Sequence, residues 1–162
     1  MTPSIIAPLG RTLLDVAAIS LAAAGSAAAK PEVGKAAPDF SVADTSGKTW
    51  TLADFAGKNL VLEWTNHDCP FVRKHYDSGN MQALQKKYTE KGVVWLAICS
   101  SAEGKQGYMT AEDWNKTIKE KSSNQTALLI DAEGKVGRQY SAKRTPEMYV
   151  IGKDGVTVST AA

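Results

Sequence analysis

Three short runs of apolar residues, separated by helical segments, constrain the fold of this chain more than any other feature. The runs lack the polar alternation of a half-exposed strand, which is typical of strands buried on both faces. They span residues 59–64, 93–98 and 127–130. Because strands of this kind are joined by helices that cover a parallel sheet, the pattern predicts an α/β fold with a central sheet.

The helical segments between these runs have recognisable starts. One begins near Cys69-Pro70, since proline suits the first helical position, where an N–H group is not needed. It is interrupted at 77–80 and then resumes to Gly92. Another begins after Thr110, where a Thr-x-x-Asp spacing resembles a capping box. A short helical turn is predicted at 136–140.

Two hairpins are predicted at the ends of the domain. The first joins 40–43 to 49–52 through a turn at Gly47, and the second joins 148–151 to 156–159 through a turn with two glycines. Since the second hairpin adds antiparallel strands to a parallel sheet, the central sheet is expected to be mixed. The first hairpin is expected to be an N-terminal extension.

The N-terminal segment differs in composition from the rest of the chain. An Ala- and Leu-rich run follows Arg11, and small residues at Ala27 and Ala29 suit a signal peptidase. Residues 1–29 are therefore predicted to be a signal peptide, with an amphipathic helix docked on the domain as the alternative. We expect 30–37 to be a lead-in and 38–162 one domain, periplasmic or secreted, without stable membrane insertion after processing.

Charge and cysteine content limit the classes of function. The chain has 19 basic and 17 acidic residues, interleaved rather than clustered, which argues against a nucleic-acid partner. A small molecule or a protein is the expected partner. Only two cysteines, Cys69 and Cys99, are present, too few for a disulfide-stapled scaffold. In an oxidising compartment two thiols need pairing, protection or a chemical role.

Six short segments together resemble a known superfamily. They occur along the chain in the order Pro38-Asp39-Phe40, Gly47-Lys48, Leu52-Ala53-Asp54-Phe55, Gly57-Lys58, Cys69-Pro70 and Thr145-Pro146. This order is similar to that of thioredoxin-like proteins, specifically the peroxiredoxin-like or redoxin branch of the alkyl hydroperoxide reductase and thiol-specific antioxidant type. The resemblance implies a thioredoxin-like fold, a central mixed sheet flanked by helices. Such folds place a helix after the last hairpin, so we expect the chain to be truncated at its C-terminus.

Cys69 is the candidate nucleophile. It lies between a buried strand and a helix N-terminus, whose partial positive charge stabilises a thiolate. A buried, unreactive cysteine is the alternative. Val72 stands where thioredoxins carry their second cysteine. Thr65 is one residue too far from Cys69 for the peroxidase motif, and the proline of that motif is absent. The sequence resembles the peroxiredoxin-like group that keeps a single thioredoxin-type cysteine.

The resemblance also implies roles for residues around Cys69. Thr145-Pro146 resembles the cis-proline loop that docks substrate, and Pro70 and His67 are the other predicted substrate-binding residues. Glu63 stands six residues before Cys69, where thioredoxins place a buried acid that relays protons. A surface charge at the strand edge is the alternative for Glu63.

Cys99 ends the second buried run, at the edge of the sheet that carries function in parallel α/β proteins. It is either a resolving thiol or a packing residue. Side-chain alternation places Trp95 and Ala97 on the same face of the strand as Cys99. The three aliphatic residues on the opposite face are Val94, Leu96 and Ile98. We expect Cys99 to be buried and unpaired in the reduced protein.

These features predict a thiol-disulfide oxidoreductase of the cell envelope, with Cys69, Glu63 and Cys99 as candidate catalytic residues and an external thiol as reductant. One alternative is a one-cysteine peroxide reductase with an antioxidant role. The other is a non-enzymatic module that binds a partner or copper. No cofactor and no metal are predicted, because His75 lies about 240° around the helix from Cys69 and leaves His67 alone beside the thiol.

Overall fold

The computed structural model describes residues 30–162, which form a five-stranded mixed sheet with helices on both faces and a separate two-stranded hairpin. The elements in chain order are β1 (Ser41–Ala43), β2 (Thr49–Thr51), a 3-10 helix (Leu52–Phe55), β3 (Leu60–Trp64), α1 (Pro70–Asp77), α2 (Asn80–Thr89), β4 (Val94–Cys99), α3 (Ala111–Glu120), β5 (Ala127–Ile130), α4 (Lys135–Gln139), β6 (Glu147–Ile151) and β7 (Thr157–Ala161). Every strand and helix predicted within residues 30–162 is present, with shifts of up to three residues at the ends.

The central sheet has the order β5-β4-β3-β6-β7. β3 is parallel to β4, and β4 is parallel to β5. β6 is antiparallel to both β3 and β7. The predicted mixed sheet is thus confirmed, and the carboxyl ends of the three parallel strands meet at one edge.

β3 separates two hydrophobic cores because its side chains alternate between the two faces of the sheet. Leu60, Leu62 and Trp64 pack into the larger core, which also contains the aromatic residues of the first hairpin region and of α4 to β6. Val61 packs into a smaller core under α1 and α2. Burial on both faces explains why the run 60–64 is continuously apolar apart from one acid.

The N-terminal hairpin is attached to the sheet rather than part of it. β1 pairs antiparallel with β2, and an isolated bridge joins Asp44 to Leu129 of β5. Residues 34–37 also contact the domain, since the Gly34 N–H donates to the Thr157 carbonyl at 2.8 Å. The predicted lead-in therefore packs beside β7.

The helices begin where the sequence indicates. Pro70 occupies the first position of α1, and the Thr110 side chain accepts a hydrogen bond from the Asp113 N–H at 3.1 Å at the start of α3. Gly79, with a φ of +73°, separates α1 from α2. Within the described range 30–162, no helix is long and apolar enough to cross a membrane. The predicted signal peptide, residues 1–29, lies outside the described residues.

Candidate active site

Cys69 lies at the carboxyl edge of the sheet, as the N-cap residue of α1. Its side chain is half-buried and packs against the smaller core under that helix. The Sγ atom donates a hydrogen bond to the Thr145 carbonyl at 3.2 Å. The position predicted from the Cys-Pro pair, at a helix N-terminus, is confirmed.

The surroundings of Cys69 favour its thiolate. Burial by itself would raise the pKa of the thiol. Hydrogen bonds from the Thr145 side chain and from the backbone N–H groups of Val72 and Phe71, together with the charge of Arg73, outweigh burial and hold the pKa below its ordinary value of 9.0. The two N–H groups belong to the first turn of α1, where a helix leaves its donors without intrahelical partners.

The thiol is reachable from solvent on the side of α1 and the 142–146 segment. Pro70 is exposed, and the Phe71 side chain is 67% exposed, unusual for a large apolar residue. Thr145 and Pro146 are half-buried, and the peptide bond between them is cis, as predicted. The structure therefore brings Thr145 and Pro70, two of the four predicted substrate-binding residues, next to Cys69.

Glu63 is completely buried in the central strand, so the alternative of a surface charge is wrong. Its carboxylate accepts hydrogen bonds from Trp95 Nε1 at 2.7 Å, the Tyr76 hydroxyl at 3.0 Å and Gln85 Nε2 at 3.2 Å. Burial nevertheless raises the pKa of Glu63, and the three donors oppose that shift. This buried acid lies under α1, the helix whose N-cap residue is Cys69.

Tyr76 connects that buried acid to the helix of Cys69. It is the residue in α1 that donates to Glu63 Oε1, and it also accepts from Gln85 Nε2 at 2.9 Å. Sequence reasoning missed it, although a signal was available. Residues seven apart on a helix share a face, so Tyr76 lies on the face of α1 that follows from Cys69 and Val72.

Cys99 has the opposite environment. It is 3% exposed, it is unpaired, and it packs with Ala97, Trp114 and Leu128. Its Sγ contacts the Gly107 carbonyl at 3.5 Å. Burial raises the pKa of the thiol. The prediction of a buried, unpaired Cys99 is confirmed, as is the division of β4 into two faces, because its three aliphatic residues pack in the other core.

The histidines lie apart from the thiol chemistry. The half-buried ring of His67 meets the Trp114 ring edge-on at 6.2 Å, and burial lowers the pKa of His67. The positive charge that lowers the pKa of Cys69 belongs to Arg73. His75 is hydrogen-bonded through Nδ1 to Asn80. Among residues 30–162, no group of three or more His, Cys, Asp or Glu side chains could hold a metal ion.

Gly107 links the segments of the two cysteines, a contact that the sequence did not reveal. Its N–H donates to Asp68 Oδ2 at 3.1 Å, while its carbonyl receives the contact from Cys99. It has a φ of +79°, and a Cβ placed there would lie 2.1 Å from Asn66 Oδ1. The loop between β4 and α3 is therefore held against the residues that precede Cys69.

The sheet order, the cysteine at the start of α1 and the facing 142–146 segment define a redox protein with the thioredoxin-like fold. More specifically, the chain belongs to the AhpC/TSA family, whose sequence pattern matches residues 33–159. The redoxin resemblance inferred from six short segments is thus confirmed.

Relatives and solved structures agree with this assignment. The chain is 30% identical over 129 residues to the thiol-disulfide oxidoreductase ResA of Bacillus thuringiensis subsp. konkukian, covering 80% of this chain and 69% of ResA. An uncharacterized conserved protein from Geobacillus kaustophilus matches with a TM-score of 0.72 and 26% identity over 81% of this chain and 69% of that one. The thioredoxin domain of a thiol-disulfide oxidoreductase from Bacteroides vulgatus has a TM-score of 0.64 and 20% identity, covering 81% and 89%.

Proposed function

We propose that this protein is a thiol-disulfide oxidoreductase of the cell envelope that acts through one nucleophilic cysteine, Cys69. The observation that carries the proposal is the environment of its Sγ atom, half-exposed at a helix N-terminus with a lowered pKa. The names of relatives such as ResA support the same class of reaction.

The reaction begins when the Cys69 thiolate attacks one sulfur of a substrate disulfide. A mixed disulfide forms between Cys69 and that sulfur, and the other sulfur leaves as a thiolate that takes up a proton. An external thiol then attacks Cys69 Sγ, which releases the remaining substrate sulfur as a thiolate and leaves Cys69 in a mixed disulfide with the external thiol. A second external thiol attacks the external sulfur of that disulfide, so an external disulfide forms and Cys69 leaves as a thiolate again. Across a full cycle, two electrons pass from the external thiols to the substrate disulfide. Oxidation of a substrate dithiol by an external disulfide uses the same steps in reverse.

The second thiol is supplied from outside the chain. Val72 stands in place of a neighbouring cysteine, and Cys99 is buried with a raised pKa and contacts a backbone carbonyl. A thiol that is both protonated and shielded reacts slowly. The structure therefore favours an external reductant over Cys99 as the resolving group.

Thr65 argues against the alternative of a peroxide reductase. Its buried side chain faces the Tyr76 hydroxyl in the narrow cleft that also contains His67. The peroxidase motif of the peroxiredoxins, which the chain resembles, implies that peroxide reduction requires a threonine hydroxyl at the reacting sulfur. Peroxide consumption by the full chain should therefore be no faster than by a free thiol.

The test of the main proposal is the alkylation rate of Cys69 against pH, followed by peptide mass analysis of the full chain. We expect half-maximal alkylation below pH 9.0, the ordinary pKa of a cysteine thiol. Reduction of a model protein disulfide by dithiothreitol should also be faster when the protein is present. An apparent pKa at or above the ordinary value, with no acceleration of disulfide reduction, would contradict the proposal.

The proposed location in the cell envelope has its own test. Residues 1–29 have the composition of an export signal that ends at small residues. Mass analysis of the protein recovered from the extracytoplasmic fraction should show a mature chain that begins at Lys30. Recovery of the uncleaved chain from the cytoplasm alone would contradict export.

A further inference from the structure

A polar cleft of about 240 Å³ opens beside the thiol, and no step of the proposed reaction uses it. It lies where β3 and β4 end, facing the segment that leads into Pro146. Its lining includes Asn66, Ser101, Lys143, Arg144 and Thr145. Since the Thr145 carbonyl accepts the hydrogen bond from Cys69 Sγ, one wall of the cleft contacts the reactive atom.

The cations of this cleft are available to a ligand. Lys143 and Arg144 are exposed, and neither takes part in an ion pair with any residue from 30 to 162. Their backbone N–H groups donate to Glu147 Oε2 at 2.8 and 3.3 Å, while Tyr149 donates to Oε1 at 3.0 Å. The Glu147 carboxylate is therefore hydrogen-bonded to neutral donors. The side-chain charges of Lys143 and Arg144 remain uncompensated.

The second carboxylate near the cleft is also occupied. Asp131 accepts hydrogen bonds from the Ser100 hydroxyl at 2.6 Å and from the Gly137 N–H at 2.8 Å. Arg73 adds a positive charge that acts on the thiol, and the Asp68 carboxylate accepts a hydrogen bond from the Gly107 N–H. The Arg73 charge thus acts on Cys69, two further cations line the cleft that contains Thr145, and the nearby carboxylates accept hydrogen bonds from the protein itself.

We propose that this cleft binds a carboxylate of the substrate, so that the preferred disulfide carries an acidic group close to its sulfur atoms. Lys143 and Arg144 contact the carboxylate, and the other lining residues of the cleft are neutral. The substrate sulfur then faces Cys69 across Thr145. This inference rests on the proposed thiol-disulfide function and adds a class of substrate to it.

The test measures rate constants for mixed-disulfide formation at Cys69 with three small disulfides of similar size. Dithiodipropionate is anionic, hydroxyethyl disulfide is neutral and cystamine is cationic. In the full chain carrying both Lys143→Gln and Arg144→Gln, the anionic reagent should react roughly three- to tenfold more slowly at low ionic strength. The neutral reagent should be unaffected, and the cationic one should not slow down.

A matched control separates the cleft from the net charge of the protein. The pair Lys58→Gln and Lys153→Gln removes the same charge at the opposite end of the sheet, where β3 begins and β6 ends. We expect this control to leave all three rates unchanged. An equal loss in the control, or an equal loss with the neutral reagent, would overturn the carboxylate site. If even the neutral disulfide does not react in the unmodified protein, the proposed function itself fails.

Peptide disulfides identify the source of the carboxylate. The unmodified protein could react faster with cystine peptides flanked by aspartate than with those flanked by lysine. If the Lys143/Arg144 variant loses this preference, the site would be assigned to protein substrates. If the Lys143/Arg144 variant instead loses a preference only for dithiodipropionate and glutathione disulfide, the site would be assigned to small acidic disulfides. Absence of a charge preference in both sets would overturn the inference.

Discussion

The two cysteines lie at the same edge of the sheet in opposite environments. Cys69 caps a helix, contacts Thr145 and has a lowered pKa. Cys99 ends β4, packs among apolar side chains and has a raised pKa. Burial opposes ionisation of both thiols. Cys69 differs because the Thr145 side chain, two backbone N–H groups at the helix start and the Arg73 charge together outweigh burial. At Cys99, burial outweighs the hydrogen bonds with Ser101.

This comparison shows that sheet position alone does not define a reactive thiol. The carboxyl edge of parallel strands brings both cysteines to the functional side of the fold. Cys69 lies beyond the end of its strand, where the backbone turns into α1, whereas Cys99 is still inside β4. The five residues between Trp64 and the helix are therefore what place Cys69 among unpaired donors.

The largest expected effect comes from removing each thiol in turn. Cys69→Ser should lower the rate of disulfide exchange by on the order of a thousandfold, because an alcohol cannot replace the thiolate nucleophile. Cys99→Ser should retain most of that rate. The measurement is reduction of a model disulfide by an excess of external thiol. Comparable losses in both variants would make Cys99 a resolving cysteine and remove the distinction between the two sites.

Glu63→Gln tests the buried acid on the Cys69 side of the sheet. The raised pKa of Glu63 means that the folded state binds its proton more tightly than the unfolded state does. The stability that protonated Glu63 contributes is therefore fully present below pH 4.5, the ordinary pKa of a glutamate. It is lost as pH rises through the higher pKa of Glu63 in the folded protein. Over that interval the unfolding free energy of the wild type should fall relative to Glu63→Gln by about 1.4 kcal/mol per pH unit.

Urea denaturation of both proteins across this pH range measures that difference. The glutamine variant is the matched control, since its amide has nearly the same volume and does not titrate. If the wild type instead gained stability relative to the variant as pH rises, the three donors would outweigh burial. The alkylation rate of Cys99 should be the same in both proteins, because Cys99 packs in a separate cluster.

Gly107→Ala tests the contact shared by the two cysteine segments. Gly104 provides the control, because its φ of +73° is similar and a Cβ there would meet nothing within 4 Å. Both variants bear the cost of a left-handed alanine, and Gly107→Ala adds a clash with Asn66. We expect it to be less stable than Gly104→Ala by about 1–2 kcal/mol in urea denaturation, with faster alkylation of Cys99. Equal stability would mean that the loop moves away without cost.

The smallest expected effect is that of Arg73→Gln. Removal of the charge raises the pKa of Cys69, so alkylation at neutral pH should slow by a factor of about two, typical of a partly exposed charge. Lys74→Gln, at the next position in α1, serves as the control and should leave the rate unchanged. High salt should reduce the difference between wild type and Arg73→Gln. A larger effect of Lys74→Gln would show that the helix is oriented differently.

The fold could be predicted from the sequence because its signals are local. Apolar runs gave the buried strands, Pro70 and Thr110 marked helix starts, and glycines marked the hairpin turns. The environment of Glu63 could not be predicted, because its donors Tyr76, Gln85 and Trp95 come from three different elements. Their convergence depends on packing between helices and sheet, which a pattern along one chain does not record.

The candidate site could be predicted only where its residues belong to local motifs. Cys69 and Pro146 belong to short motifs, which correctly indicated a helix start at Cys69 and a cis bond before Pro146. The cleft beside them depends on side chains from three segments, and the positions of Lys143 and Arg144 follow from the path of the chain between α4 and β6. Arg73 could have been proposed from helix geometry, since it lies four residues after Cys69.

The alternation of side chains along β3 limits how this protein can vary in length. Deletion or insertion of one residue between Leu60 and Trp64 would exchange the faces of every later side chain in the strand. The Glu63 carboxylate would then enter the larger apolar core, away from its three donors, and Cys69 would shift along the sheet edge. The turn between β6 and β7 has no side-chain alternation to preserve, and the rest of the chain meets it through backbone hydrogen bonds to the Lys153 and Gly155 carbonyls. Length differences among functional homologues should therefore be found at 152–155 and not between residues 60 and 69.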